Sequence, residues 1–414
     1  MKNVLIICGS FPPNSEVGGL RPAMFAKYLK QFGWNPWVIT RSFPKNDSRY
    51  NNKMSINLDD IENQISRIEY GEADELNYLE ERNIFTKSRD FFYSEYSSPP
   101  GVYFAVKEKA IELCDNHHFD LIFATSPDHW EITLGSLLSK KYNTKFVVDF
   151  RDIKEQEQGL KRTFREYLQV QRFVVRRFIN TRQADLITTV SKYHAKVLSQ
   201  KLYKKVDVIY NGYDHEAFYP QDVVFDDTTT FKIIYAGRIL NKWYRNPEIL
   251  LESVDKLIDE NKIGVNDISV DFYGTEKDIM NGMLANVVNK TFVNVYDSIP
   301  FNQVNEKLNE SQILLLLTNK GRKGILTTKS FEYAGVKKPI LCVPGDSSEL
   351  DELIRDYDLG YSIDNVDKLK LKLLEWVNAY RNGLYPSKIE SNVDCFSRVN
   401  QTKELAKSFN SLFN

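Results

Sequence analysis

The chain has 414 residues, of which 42% are hydrophobic and 27% are charged, the balance of a folded globular protein. This length exceeds what one hydrophobic core normally organises and indicates two domains of about 200 residues each. The formal net charge of −1 argues against a nucleic-acid-binding protein, which would carry a strongly basic surface.

The cysteines and the apolar runs bear on the compartment. Cys8, Cys114, Cys342 and Cys395 are far apart and show neither a metal-site nor a disulfide-framework spacing, which favours a reducing compartment. No run approaches the ~20 apolar residues of a membrane span, and the first apolar run lacks the cleavage site of a signal peptide. We therefore predict a cytoplasmic protein.

Short, continuously apolar runs recur along the chain, each followed by an amphipathic stretch. Such runs are typical of parallel strands that are covered on both faces by helices. A helical pattern over Arg21 to Phe32 follows the first run, and another begins at Pro247. The predicted strands are 4–8, 36–40, 121–125, 146–150, 186–190, 206–210, 231–236, 268–273, 292–295, 313–317 and 339–343, with a weaker candidate at 65–70.

This rhythm of strand and helix predicts an α/β protein with two Rossmann-like, doubly wound parallel sheets in series. We expect an N-terminal domain over residues 1–212, a C-terminal domain over 213–395, and a helix within 396–414 that packs back on the first domain. The polar stretch 44–100 is interpreted as a partly helical insertion. It is either a solvated excursion or a wall of a substrate site.

Ligands of open α/β sheets bind at the carboxyl ends of the strands, where loops meet helix N-termini. The loop after the first strand contains Gly18 and Gly19, which permit close approach of the backbone to a ligand. Its spacing is not G-x-G-x-x-G, so a nicotinamide-binding site is a poor fit.

Two loops of the second half carry the residues suited to a nucleotide diphosphate. Arg238 follows a predicted strand and can clamp a diphosphate through its planar fork of donors. Thr327 or Thr328 can cap a helix whose N-terminus faces the ligand, and Lys329 adds positive charge. Glu332 can accept hydrogen bonds from a ribose diol. Taken singly, each residue is equally explained as a solvated charge or an ordinary cap.

Several segments together resemble glycosyltransferase family 4 over nearly the whole chain. The second half matches at Gly237–Arg238 and at Phe331-Glu332-Tyr333-Ala334-Gly335. The matching segments of the first half are 21–29, 125–129, 148–152, 184–191 and 208–214.

The resemblance implies the GT-B fold, in which two Rossmann-like domains face each other across a cleft that binds a nucleotide-diphosphate sugar. It implies sugar transfer to a glycan, lipid-linked or protein-linked hydroxyl, with retention of configuration, in bacterial surface-glycan or polysaccharide synthesis. It places Thr327, Thr328 and Lys329 beside the diphosphate and Glu332 on the ribose. Lys242 and Arg245 compete as the partner of Arg238.

On the acceptor side, His129, Asp149 and Asp152 are candidates for orienting or deprotonating the attacking hydroxyl. A structural role for His129 is an equally good interpretation. Cations and helix N–H groups suffice to stabilise a leaving diphosphate, so we expect neither a bound metal ion nor a resident cofactor.

One departure from the family pattern concerns the donor sugar. The family commonly has a second glutamate eight positions before the ribose ligand, and Gly324 stands there in this chain. Retention is accordingly the less secure part of the resemblance. A sugar-nucleotide epimerase of the same fold and a non-catalytic subunit of a glycan-assembly complex are the alternatives.

The basic segment 160–182 carries arginines around Phe173, Val174, Val175 and Phe178. It is either a solvated helix or a peripheral contact with an anionic membrane surface.

Overall fold

The computed structural model describes residues 1–14, 17–50, 56–87, 100–126, 130–157, 163–222, 230–239, 241, 245–318, 323–386 and 388–413. They form two compact units. The first comprises Met1–Tyr210 together with Arg398–Asn414, and the second comprises Asn211–Ser397. Within the described residues, no helix is both long enough and apolar enough to cross a bilayer.

The first unit is built on a seven-stranded parallel sheet with the strand order β3-β2-β1-β4-β5-β6-β7. Its central strands β1 and β4 are almost entirely buried, because helices cover both faces of the sheet. The strands are β1 (Lys2–Cys8), β2 (Trp34–Ser42), β3 (Ile65–Glu69), β4 (Leu121–Ser126), β5 (Lys145–Phe150), β6 (Leu186–Thr189) and β7 (Val206–Val208).

Helices cover this sheet on both sides. The last helix of the chain belongs to this unit, since Leu405 and Phe409 join the core cluster that contains Trp34. The helices are α1 (Leu20–Tyr28), α2 (Glu72–Glu80), α3 (Pro100–Asn116), α4 (Trp130–Tyr142), α5 (Phe164–Thr181), α6 (Lys192–Leu202) and, at the end of the chain, α13 (Arg398–Asn410).

The second unit contains a six-stranded parallel sheet with the order β10-β9-β8-β11-β12-β13. Its strands are β8 (Phe231–Ala236), β9 (Ile268–Tyr273), β10 (Val293–Tyr296), β11 (Ile313–Leu317), β12 (Ile340–Val343) and β13 (Gly360–Ser362). Its helices are α7 (Glu248–Asp259), α8 (Lys277–Met283), α9 (Phe301–Asn309), α10 (Thr328–Val336), α11 (Glu349–Asp356) and α12 (Val366–Arg381).

The structure confirms two parallel-sheet α/β domains and differs from the sequence prediction in local detail. The stretch 44–100 is not wholly an insertion, because β3 within it pairs in parallel with β2. The helix predicted over Arg21 to Phe32 ends at Tyr28 and continues as a 3-10 turn. Strand β13 was not predicted, since three residues beginning with Gly360 give no apolar run.

Candidate functional site

Each sheet has a point at which its strand order reverses. In the second unit the chain runs outward from β8 to β10 and then returns to the other side of β8 with β11. In the first unit the same reversal lies between β1 and β4. Loops that leave the carboxyl ends of such strands diverge and leave a crevice, which is where ligands of open α/β sheets bind.

The loop after β8 is held close to the loop after β9. The amide of Gly237 donates a hydrogen bond to Tyr273 O at 2.8 Å, and Thr275 Oγ1 donates one to Gly237 O at 2.9 Å. Gly237 has φ +147°, a conformation that residues with a Cβ rarely adopt. The glycine therefore fixes the direction in which Arg238 leaves the strand.

Arg238 lies at the surface of this loop. Its side chain is 70% exposed and forms an ion pair of 3.3 Å with Glu276, which is 64% exposed. A pair between two exposed side chains contributes little to stability, so Arg238 can exchange Glu276 for an anionic ligand at small cost.

Lys329 and Gly237 come together from opposite sides of the crevice. A methyl group added to Gly237 would lie 2.6 Å from Lys329 Nζ, so the ammonium group lies directly over the glycine backbone. Burial lowers the pKa of Lys329; nearby Glu332 raises it and Arg245 lowers it further. Lys329, Glu332 and Arg245, three of the residues predicted around a diphosphate and its ribose, therefore lie near one another.

The N-terminus of α10 has no side-chain cap in the described structure. Thr327 occupies the N-cap position but makes no capping hydrogen bond, and Thr328 is the first helical residue. The hydroxyls of Thr327 and Ser330 are buried without a hydrogen-bond partner among the described residues. Uncapped N–H groups and unpaired hydroxyls beside a partly buried ammonium are the donors that bind an anion.

Arg245 and Gly324 complete this edge of the second unit. Arg245 donates a hydrogen bond to Arg238 O, so it braces the loop in addition to adding charge. Gly324 has φ +75°, which gives a backbone reason for glycine where the family commonly has glutamate. Lys242, the competing partner of Arg238, lies outside the described residues.

In the first unit the glycine-rich loop packs tightly against itself and against Arg151. The guanidinium of Arg151 donates a hydrogen bond to Gly18 O. A Cβ at Gly19 would lie 3.2 Å from the Phe11 backbone and from Ser10 Oγ. Gly19 is therefore explained by packing within the loop, besides any approach of a ligand.

The surroundings of Asp149 bear on its two predicted roles, which are to orient or to deprotonate the attacking hydroxyl. This residue is completely buried, and its carboxylate accepts hydrogen bonds from Thr125 Oγ1 and Thr188 Oγ1, both at 2.7 Å, and from the guanidinium of Arg21. A carboxylate saturated in this way does not deprotonate a hydroxyl that arrives from solvent. This arrangement favours a positioning role for Asp149.

The other two acceptor-side candidates differ in how well they are placed. Asp152 is exposed after the end of β5, where a substrate can reach it. His129 lies outside the described residues.

Sequence reasoning missed Glu131, which lies at the β1–β4 crevice. It is 1% exposed, accepts a hydrogen bond of 2.8 Å from Ser126 Oγ, and would stand 2.6 Å from a Cβ on Gly9. Its only sequence signal was an acidic residue at the start of a helix that follows a predicted strand.

No metal-ligand cluster is found within the described part of the chain, where no three His, Cys, Asp or Glu side chains come together. One D-x-D triplet, the spacing that often holds a divalent cation, occurs at Asp356 to Asp358. It precedes β13 and so lies at the amino end of the strands, away from the crevice. Metal independence remains a prediction.

The fold is that of GT-B proteins, as three solved structures show. Sucrose-phosphate synthase from Thermosynechococcus elongatus superimposes with a TM-score of 0.68 at 12% identity, covering 100% of this chain and 99% of its own. Anabaena HepE in complex with UDP superimposes with a TM-score of 0.62 at 14% identity, covering 99% of this chain and 100% of its own. The lipopolysaccharide outer core galactosyltransferase WaaB in its apo form gives 0.57 at 12% identity, with 100% of each chain covered.

A family model matches most of the first unit and the start of the second. The model of Glycosyltransferase Family 4 matches residues 23–217, a little under half of the 414 residues. The resemblance drawn from the motifs is thereby confirmed. No curated protein matches the sequence.

Proposed function

We propose that the protein transfers a sugar from a nucleotide-diphosphate sugar to a hydroxyl acceptor. The observation that carries this proposal is the crevice beside β8 and β11, where Lys329 lies over the Gly237 backbone at the uncapped N-terminus of α10. HepE, which has the same fold, was solved with UDP and with UDP-glucose, and this supports the choice of ligand.

The chemistry proposed for the second unit is stabilisation of the leaving diphosphate. Breaking the sugar–phosphate bond builds negative charge on that group, and preorganised donors lower the barrier because they need not reorient. The residues assigned to this task are Arg238, Lys242, Arg245, Thr327, Thr328 and Lys329. Glu332, one turn into α10, is assigned to the ribose hydroxyls.

The first unit is proposed to present the acceptor. Its crevice combines the Gly18–Gly19 loop with Asp152, and we add Glu131 to this set. His129, outside the described residues, stays a candidate from the sequence alone. Asp152, which is exposed, is the carboxylate placed to orient or deprotonate a hydroxyl, whereas the buried Glu131 is assigned to positioning the loop after β1 through its contact with Gly9. The acceptor classes that fit are a glycan, a lipid-linked sugar and a protein hydroxyl, in bacterial surface-glycan or polysaccharide synthesis.

For the stereochemical course we propose retention, as in the family. Gly324 has a positive φ, which glycine adopts without strain. Glycine in place of the family's glutamate is therefore compatible with the conformation of this loop. The anomeric proton coupling of the product, followed by NMR from the first minutes of reaction, distinguishes retention from inversion.

For the compartment we propose the cytoplasm. All four cysteines are unpaired, and Cys8 and Cys342 are buried, as expected for thiols in a reducing environment.

The experiment is incubation of the protein with a panel of nucleotide-diphosphate sugars, with and without hydroxyl acceptors. We expect transfer, or slow hydrolysis when no acceptor is present. Conversion of the nucleotide sugar into an isomer would show an epimerase instead. Absence of any reaction together with retained UDP binding would show a non-catalytic subunit.

A variant links the activity to the proposed crevice. Lys329→Ala should weaken UDP binding by about ten-fold or more, because a charge-assisted contact is removed. The matched control is Lys290→Ala, an exposed lysine elsewhere in the same unit. Equal UDP affinity of the two variants, measured by calorimetry, would refute the assignment of the crevice.

A further inference from the structure

Helix α5 exposes large apolar side chains along one side. Six of them lie between 41% and 77% exposed, and we call them the outer stripe: Phe164, Tyr167, Leu168, Val175, Phe178 and Ile179. Their spacing places them within an arc of about 120° around the helix axis, over a length of about 23 Å. The exposed Gln171 interrupts the stripe between Leu168 and Val175. Even so, six large apolar side chains on the solvent side are unusual for one helix of a soluble domain.

The opposite side of α5 holds the helix on the first unit. Arg177 is buried and donates two hydrogen bonds to Glu155, of 3.0 Å and 2.5 Å. Asn180 Nδ2 donates to Thr133 Oγ1 of α4 at 2.6 Å. Because Arg177 and the centre of the outer stripe lie on nearly opposite sides of the helix, this anchoring fixes the stripe outward.

The structure also changes which side chains belong to the exposed face. Phe173 and Val174, expected there from the sequence, are partly buried, and the Phe173 ring packs near Lys154 and Arg177. The exposed face instead extends toward the start of the helix through Phe164 and Leu168.

Positive charge accompanies the stripe. Residues 161–182 contain seven basic side chains and a single acidic one, Glu166. By helical spacing, Arg172 lies along one border of the stripe, and the exposed Arg182 follows its end. Arg176 lies nearer the anchored side, where its Nη2 donates a hydrogen bond of 3.4 Å to Thr133 Oγ1. Residues 160–162, at the beginning of the segment, lie outside the described residues.

We propose that the outer stripe of α5 inserts into the headgroup region of an anionic lipid bilayer, with the bordering arginines on the lipid phosphates. An apolar face bordered by basic residues is the arrangement with which a helix lies in a membrane interface. The charge argues against a second copy of the chain, since pairing the two stripes would bring two strongly basic segments together. This proposal stands independently of the sugar-transfer proposal.

The experiment is flotation of the whole protein with vesicles of phosphatidylcholine alone and with phosphatidylglycerol added. We expect binding to the anionic vesicles only, and loss of binding as salt shortens the range of the attraction. Arg172→Gln and Arg182→Gln should each weaken binding about five-fold. The matched control for charge is Lys262→Gln, an exposed lysine of the second unit.

The apolar contribution is tested by Leu168→Asp combined with Ile179→Asp. This double variant should lose about ten-fold or more of its vesicle affinity, because two side chains can no longer insert. The control is Leu371→Asp, whose side chain is 72% exposed on α12. All targets are exposed except the partly buried Arg172, and thermal unfolding verifies that each variant is folded.

Two results would overturn the proposal. One is unchanged affinity of the double variant for anionic vesicles. The other is a native dimer in sedimentation velocity that the double variant converts to a monomer, because the stripe would then be a contact between copies of the chain.

Discussion

Arg21 and Asp149 form a buried, two-pronged ion pair at the carboxyl edge of the first sheet. Arg21 Nε donates to Oδ2 at 2.9 Å and Nη2 donates to Oδ1 at 2.8 Å, and neither side chain is more than 2% exposed. Nη1 of the same arginine donates to Tyr210 O at 2.9 Å, at the last residue of this segment of the unit. The pair therefore ties the start of α1, just after the glycine-rich loop, to β5 and to the end of that segment.

Removing one partner of this pair should destabilise the protein strongly. Burial alone would raise the pKa of Asp149, but the charge and hydrogen bonds of Arg21, with two threonine hydroxyls, outweigh it and keep the pKa below its usual range. Asp149→Leu leaves Arg21 buried without a counter-charge, so we expect a loss of about 3–5 kcal/mol in the free energy of unfolding. Urea denaturation measures this.

The double variant Arg21→Met with Asp149→Leu tests the positioning role. It removes both charges, and most of the lost stability should return. If Asp149 is a positioning residue, the double variant should bind UDP normally and show a raised KM for the acceptor. A catalytic base would instead give normal stability in Asp149→Asn together with loss of the alkaline-dependent rise in kcat.

Glu332→Gln should impair use of the nucleotide sugar more than use of the acceptor. Loss of a charge-assisted hydrogen bond to the ribose corresponds to roughly a 10- to 150-fold fall in kcat/KM for the donor. Glu252→Gln, on the exposed side of α7, is the control. Donor kinetics identical to those of the control variant would remove Glu332 from the ribose site.

Gly237→Ala tests the close approach of Lys329. The added methyl group would collide with the lysine ammonium, and φ +147° is strained for alanine by about 1–3 kcal/mol. We expect lower thermal stability and weaker UDP binding together. Gly282→Ala is the control, because nothing lies within 4 Å of the added group there. A variant at 237 that binds UDP as tightly as the control variant contradicts the proposed ligand position.

Both parallel sheets could be predicted from the sequence, because their buried strands are short and continuously apolar. Strands such as β8 and β11 are covered on both faces, so their composition marks them without any tertiary information. Edge strands carry less of this signal. Thus β13, with one exposed tyrosine among its three residues, was missed, and β3 was only a weak candidate.

The site could be predicted only in part, because pattern gives the position of a residue but not its partners. Lys329 and Gly237 are far apart in sequence, and only the parallel arrangement of β8 and β11 brings their loops together. The sequence did not show that the Asp149 carboxylate is fully hydrogen-bonded, because its three buried partners come from a helix and two other strands. Asp149 was therefore predicted as a candidate acid or base. Glu131 gave no motif.

His194 should make the stability of the protein depend on pH. Its side chain is 1% exposed and neither ring nitrogen has a hydrogen-bond partner among the described residues. Burial lowers the pKa of His194 from 6.5 to about 4, while the charges of Asp152 and Glu155 act in the opposite direction. The folded protein thus keeps this imidazole neutral at pH values where the unfolded chain protonates it.

The sign of the effect follows from proton binding. Between about pH 6.5 and pH 4 the unfolded chain binds one more proton at this residue, so the free energy of unfolding falls as the pH falls. The total loss is about 3 kcal/mol, and it levels off below pH 4, where both states are protonated. His194→Leu should abolish this pH-dependent part of the free energy of unfolding and leave stability at pH 7 almost unchanged, since the ring nitrogens make no hydrogen bonds to lose.

Urea denaturation at a series of pH values measures the difference, with His118→Leu at an exposed position as the control. Parallel pH profiles for the native protein and His194→Leu would mean that the imidazole is protonated, or hydrated, in the folded state.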